Sequence, residues 1–175
     1  MHAEAYEFVK QTVEALRQRG TVFEKVVEFG GRDVNGTIRH LFCDAESYIS
    51  IDRIPGPGVD AIADAETYTP PEPVQCVVCC EVLEHAKNAY QIVMNALRIL
   101  EPGGVFILTC ATDGRMPHSA ITGGPLLQNE YYKNIEITEL DSWLFSYAAF
   151  AKLAINPKAH DLYCVAMKAH ESPLH

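Results

Sequence analysis

A short apolar run, Val26-Val27-Glu28-Phe29, ends in Gly30-Gly31, and acidic residues close two later runs at Asp52 and Asp64. Glycines let a backbone turn sharply and approach a ligand with no Cβ in the way. A carboxylate at the end of the second strand, about 20 residues beyond such a turn, can accept both hydrogen bonds of a ribose diol. A fourth run, Val74 to Cys80, closes on Cys79-Cys80-Glu81. Ligands of open parallel sheets bind beyond the carboxyl ends of the strands, where all of these residues fall. An adenosine-containing ligand is the chemistry such a set supports. Singly, each residue has a plainer use: any strand-to-helix junction can take a glycine, and Asp52 can cap its own loop. The combination points to a ligand.

The six cysteines raise a different chemistry, because Cys76, Cys79 and Cys80 lie close together and His85 follows. On a strand, however, side chains alternate, so Cys76 and Cys80 face one way and Cys79 the other. Three thiolates divided between two faces cannot converge on one zinc. No metal is expected, and the cysteines are read as small buried hydrophobes in a reducing compartment. Glu84 and His85 stand just before a helix and are expected to order the loop that contains them.

The elements that must position these residues follow from periodicity. Ala5, Phe8, Val9, Val13 and Leu16 form a helical stripe in a leading helix over residues 1–20, with Gly20 at its stop. Lys25 to Phe29 is a strand, followed by a turn and a helical segment over Thr37 to Phe42. Tyr48 to Ile51 is a second strand, and Val59 to Ala63 a weak third. Pro70, Pro71 and Pro73 then break the chain before Val74 to Cys80, a continuous apolar run typical of a strand covered on both faces. A helix over Asn88 to Leu100 is closed by Pro102-Gly103-Gly104, and Val105 to Cys110 is another buried strand. Such alternation points to a parallel α/β sheet with helices on both faces. Residues 111–137 are rich in Gly, Pro and polar side chains, and a loop of that length is usually functional or disordered. A short helix near Thr138 to Phe145 precedes two runs, Ala148 to Ile155 and Leu162 to Met167, that read as a hairpin at the sheet edge.

Length and composition set bounds. The 175 residues, 48% of them hydrophobic, suffice for one core and not for two full domains, so residues 1–175 are expected to form a single domain. A net charge of -9 disfavours nucleic acid, whose phosphates reward clustered Lys and Arg. The Met1-His2-Ala3-Glu4 start is acidic where a signal peptide needs a basic, then apolar, segment, and no apolar run is long enough to span a bilayer. A cytoplasmic protein without membrane contact is expected.

From Val26 to Cys110 the sequence resembles the class I S-adenosylmethionine-dependent methyltransferases, of the small single-domain kind. The likeness is carried by Val26-Val27-Glu28-Phe29-Gly30, by Ile49-Ser50-Ile51-Asp52 and by Ala63-Asp64-Ala65. Most specific is Cys80-Glu81-Val82-Leu83-Glu84-His85, followed by Leu100-Glu101-Pro102-Gly103-Gly104. The resemblance implies a Rossmann-like, doubly wound, mostly parallel seven-stranded sheet with an antiparallel hairpin at its C-terminal end, and S-adenosyl-L-methionine as cofactor. It assigns Glu28 to anchoring the cofactor loop and to the methionine amine, and Gly30 and Gly31 to bordering the methionine portion. Asp52 goes to the ribose, Asp64 to the adenine amine, and Cys80 and Glu81 to the sulfonium side. One departure is Arg32, where the family usually has a further glycine. Either Asp33 and Asn35 replace backbone contacts with side-chain ones, or the loop grips its cofactor loosely.

Methyl transfer from a sulfonium needs alignment of nucleophile, methyl carbon and sulfur, and a base only when the nucleophile arrives protonated. The resemblance puts the acceptor side in the loop after the fifth strand. His118 suits a general base near neutrality, and Tyr131 and Tyr132 suit a pocket lining or an acceptor-orienting role. Their plainer readings are a solvated loop histidine and two packing anchors. The expected function is methyl transfer to a small molecule, and the final hairpin offers an edge for a homodimer. A non-catalytic binder of S-adenosylmethionine or S-adenosylhomocysteine is the alternative. A nicotinamide-dependent oxidoreductase fits poorly, because Gly30 to Asn35 lacks G-x-G-x-x-G spacing.

Overall fold

The computed structural model describes residues 2–170. Its frame is a seven-stranded sheet in the order β3-β2-β1-β4-β5-β7-β6. Strands β1 (Lys25–Phe29), β2 (Ser47–Asp52), β3 (Ala61–Ile62), β4 (Val74–Cys80) and β5 (Leu100–Ala111) pair in parallel. Strands β6 (Ala148–Asn156) and β7 (Asp161–Lys168) form the antiparallel hairpin, with β7 inserted beside β5 and β6 at the edge. Strand order reverses between β1 and β4, which makes the C-terminal ends of those two strands the place where a crevice opens.

Both faces of the sheet are covered, which explains why the central runs are continuously apolar. Helix α1 (Ala3–Gln18) buries Val9 and Val13 against Val26, Cys76, Val78, Val105 and Ile107. Phe8, from the same stripe, stacks on Tyr163 of β7 with ring centroids 4.4 Å apart. On the opposite face, α2 (Ala89–Ile99) and α3 (Ile137–Leu144) cover Val27, Phe29, Val77, Cys79, Phe106 and Leu108. Burying a side chain such as Leu97 of α2 contributes roughly 1.5–3 kcal/mol. Cys76 and Cys79 therefore lie on opposite faces, as alternation requires, and burial raises both thiol pKa values.

Three expected elements differ. The segment after the glycine turn contains a single 3-10 turn, Arg39–Phe42, in place of a helix. It has just two deeply buried apolar anchors, Ile38 and Phe42, too few for a helical stripe. The third strand shrinks to Ala61–Ile62 because the Pro55-Gly56-Pro57-Gly58 loop is followed, after Val59, by Asp60, whose carboxylate is turned back to the Ser50 N–H and Arg39. The Pro102-Gly103-Gly104 turn, expected to close the helix, lies instead inside β5: α2 ends at Ile99, Leu100 already pairs with Val74, and the turn bulges out before Val105 pairs with Cys76. Among the described residues, no helix is long and apolar enough to cross a membrane.

Candidate active site

The glycine turn is fixed by steric demand. The Gly30 and Gly31 N–H groups both donate to the Ile51 carbonyl, at 2.9 and 3.1 Å, folding the chain over the end of β2. Gly30 has φ +75°, and a Cβ there would overlap Val82 Cγ2. A Cβ on Gly31 would overlap Ser50 Oγ and press on the Glu28 carboxylate. Glu28 lies beneath the turn, not in the cleft: it is buried and accepts the Tyr48 hydroxyl at 2.7 Å, and burial pushes its pKa up. Asp33 also points away, accepting the Gly36 N–H at 2.8 Å. Arg32 instead crosses the site, and its guanidinium donates to the carbonyls of Ala120 and Ile121 at 2.9 and 3.1 Å.

Beyond the ends of β1, β2 and β4 lies a cleft of about 560 Å³, lined by Gly30, Asp52, Asp64, Cys80 and Glu81 and by the apolar Ile51, Ala63 and Ile92. Asp52 Oδ1 accepts the Ile54 N–H at 2.8 Å, and Asp64 Oδ1 accepts the Glu66 N–H at 2.9 Å. Both aspartates thus cap their own loops, as an isolated aspartate would; the second carboxylate oxygen of Asp52 has no partner among the described residues, whereas Asp64 Oδ2 lies 3.7 Å from the Nε of the exposed Arg53. At the end of β4 the backbone of Glu81 turns into the left-handed region, φ +58°. That conformation is costly for a side chain with a Cβ and clusters at functional sites. The Glu81 carboxylate is held by the Thr109 hydroxyl at 2.8 Å and by His2 at 3.3 Å. Burial works to raise its pKa, but His2 and Thr109 outweigh it and hold the group below the usual carboxylate range. His2 also reaches the buried Asp161 at 3.1 Å, and those two carboxylates push its own pKa up to about 10.

The far wall of the cleft is the loop between β5 and α3. It is tied down by hydrogen bonds: the Ser119 hydroxyl donates to Glu130 at 3.0 Å, Thr112 to the Ile135 carbonyl at 2.7 Å, and the Lys133 N–H to the Glu84 carbonyl at 2.8 Å. His118 and Tyr131 line the cleft, whereas Tyr132 stands behind them. The rings of His85, His118 and Tyr132 meet edge to face, with centroids 5.0 to 5.4 Å apart. His118 Nδ1 is 3.2 Å from the Met116 carbonyl. A carbonyl can only accept, so in the neutral ring Nδ1 carries the proton and the lone pair is on Nε2.

Of the residues singled out in the sequence, Gly30, Asp52, Asp64, Cys80, Glu81, His118 and Tyr131 meet in this cleft, while Glu28, Gly31, Asp33 and Tyr132 support it from outside. His85 was missed. The Glu84 main chain orders the loop as expected, but the His85 ring lines the cleft, and burial together with His118 depresses its pKa to about 4. The available signal was three titratable residues, Glu81, Glu84 and His85, crowded at one strand end.

Strand order, the terminal hairpin and the cleft at the switch between β1 and β4 define the class I S-adenosylmethionine-dependent methyltransferase fold. The family model "Methyltransferase domain" matches residues 45–108, a span that holds Asp52, Asp64, the Glu81 to His85 segment and the Pro102-Gly103-Gly104 turn. The N-methyltransferase NodS of Bradyrhizobium japonicum, solved with S-adenosylhomocysteine, is similar at 14% identity and TM-score 0.64, over 94% of this chain and 87% of that one. The 1,6-didemethyltoxoflavin-N1-methyltransferase of Burkholderia thailandensis is similar at 15% identity and TM-score 0.65, over 94% and 78%. CalS10, an amino pentose methyltransferase from Micromonospora echinaspora solved with bound cofactor, gives 14% and 0.65, over 95% and 91%. No curated protein matches the sequence significantly.

Proposed function

We propose that the protein binds S-adenosylmethionine in the cleft beyond β1, β2 and β4 and transfers its methyl group to a small-molecule acceptor held under the β5–α3 loop. The observation that carries this reading is the pair of aspartates at successive strand ends, Asp52 with one carboxylate oxygen uncommitted and Asp64 with its second oxygen against only the exposed Arg53, facing a glycine turn across one cleft. Asp52 takes the ribose hydroxyls, Asp64 the adenine amine, and Ile51, Ala63 and Ile92 the adenine faces. The methionine portion lies along Gly30, and the sulfonium lies against Cys80 and Glu81.

His118, Tyr131 and Tyr132 belong to the acceptor side, with His85 beside them. The acceptor's lone pair displaces the thioether from the methyl carbon, S-adenosylhomocysteine leaves uncharged, and a proton is lost from the acceptor. Little covalent help is needed, and positioning supplies most of the rate. The acidic chain favours a neutral or cationic acceptor over a polyanion. Six free cysteines fit the reducing cytoplasm. The edge of β6, with Phe150 and Ile155 exposed, is where a second copy would pair; sedimentation at increasing concentration tests this, and a monomer throughout refutes it. The functional test is turnover: incubation with methyl-labelled S-adenosylmethionine and a panel of amine, hydroxyl and carbon acids should release S-adenosylhomocysteine. Cofactor binding with no turnover on any of them would leave a binding protein in place of an enzyme.

A further inference from the structure

We propose that Glu84, His85 and His118 form a binding site for one divalent first-row transition ion, with Zn²⁺ as the reference case. Each residue offers one donor atom, and the three atoms lie within 4.8 Å of one another. Donors on a tetrahedral ion with bonds near 2.1 Å stand about 3.4 Å apart, so a small rotation of His118, carried on a surface loop, completes the approach. Two imidazole nitrogens and a carboxylate oxygen suit zinc, iron, manganese or cobalt and suit magnesium or calcium poorly.

A second observation is independent of that spacing. Glu84 is 0% exposed, and neither of its carboxylate oxygens has a hydrogen-bond partner of good geometry, the main-chain N–H groups of Glu84 and Ala111 approaching it only weakly. A buried carboxylate without partners is among the costliest arrangements a fold can keep, and such groups are normally paired or coordinate a metal. The nearby cation does not serve: Arg115 is turned to Asp161, at 3.1 Å, and toward Glu81, at 4.0 Å. Glu81 itself is engaged by Thr109 and His2. His85 Nδ1 and the Tyr132 hydroxyl are likewise buried without partners, so orphaned polar atoms concentrate at this one place. His118 has the arrangement common to metal-binding histidines, one ring N–H donating to a backbone carbonyl and the other nitrogen bearing the lone pair.

Three protein ligands leave a coordination position open, and because His85 and His118 line the cleft, that position faces it. An ion there would hold and polarise an acceptor oxygen beside the methyl donor. This use rests on the proposed methyltransferase function; the binding of the ion does not.

The test is a titration of the chelator-treated full chain with Co²⁺, followed by its visible d–d absorption, and then displacement by Zn²⁺. One equivalent of Co²⁺ should bind, Zn²⁺ should displace it, and Glu84→Gln and His118→Ala should each weaken binding at least tenfold. His118→Ala alters a loop side chain and should keep the native circular dichroism, which covers the case where Glu84→Gln fails to fold. Absence of the absorption band at millimolar Co²⁺ overturns the proposal, as does undiminished affinity in His118→Ala. S-adenosylhomocysteine affinity of the wild type, measured by calorimetry without metal, tests the functional reading separately. Absence of cofactor binding there would count against the functional reading and not against the metal site.

Discussion

Arg32 stands in the turn where a small residue would leave the methionine end of the cleft open, and it is put to use: its guanidinium reaches across to the Ala120 and Ile121 carbonyls and straps the acceptor-side loop to the cofactor-side turn. Arg32→Ala should therefore release that loop while leaving the sheet intact. Hydrogen exchange at residues 118–124 should accelerate and cofactor dissociation quicken several-fold; unchanged exchange would mean the strap is incidental. Gly31 is constrained from the other side, by Ser50 and Glu28. Gly31→Ala should cost about 1–3 kcal/mol, as overpacking typically does, read as a lower denaturation midpoint. At this scale the sequence was most informative where residue type and strand-end position were enough, as for Gly30, Asp52 and Asp64. It could not disclose His85, because the path beyond β4 depends on the left-handed turn at Glu81. No periodicity predicts such a turn for glutamate.

The elements explain how the cleft keeps its shape. Asn95 of α2 is 2% exposed and donates to the Ala65 and Tyr68 carbonyls at 2.8 and 2.9 Å, pinning the loop that carries Asp64. Asn95→Leu strands the Ala65 carbonyl in the interior and leaves the Tyr68 carbonyl with Arg98 alone, at 3.2 Å, an omission worth about 1–3 kcal/mol, and should weaken cofactor binding along with stability. A variant as stable as wild type would show that the loop is held otherwise. At the start of α1, His2 ties the helix to Glu81 and Asp161. Its folded pKa, raised to about 10 from 6.5, lies above the unfolded value, so the protonated histidine stabilises the fold. That contribution is full below the unfolded pKa and is lost as pH rises through the folded one. The melting temperature of wild type minus that of His2→Ala should thus shrink between pH 6.5 and 10; a difference flat with pH would exclude the linkage. Strands β1, β2, β4 and β5 were evident from their apolar runs. The 3-10 turn at Arg39–Phe42 and the two-residue β3 were not, because a side-chain pattern of that length fits either outcome and tertiary packing decides it.

For the molecule as a whole, two packed faces and a strand-order reversal bring residues from 30 to 131 in the chain to one edge of one sheet. The order of strands and helices in the sequence foretold that edge. How the long β5–α3 loop returns over it was not foretold, since its course is set by contacts between polar groups far apart in sequence, such as Arg32 to Ala120 and Lys133 to Glu84. The central claim is that this edge is a cofactor site in which Asp52 holds the ribose. Calorimetric titration with S-adenosylhomocysteine tests it most directly. Wild type should bind one equivalent and Asp52→Ala at least tenfold more weakly; no binding by wild type at millimolar ligand, or equal affinity for the two proteins, would contradict the account.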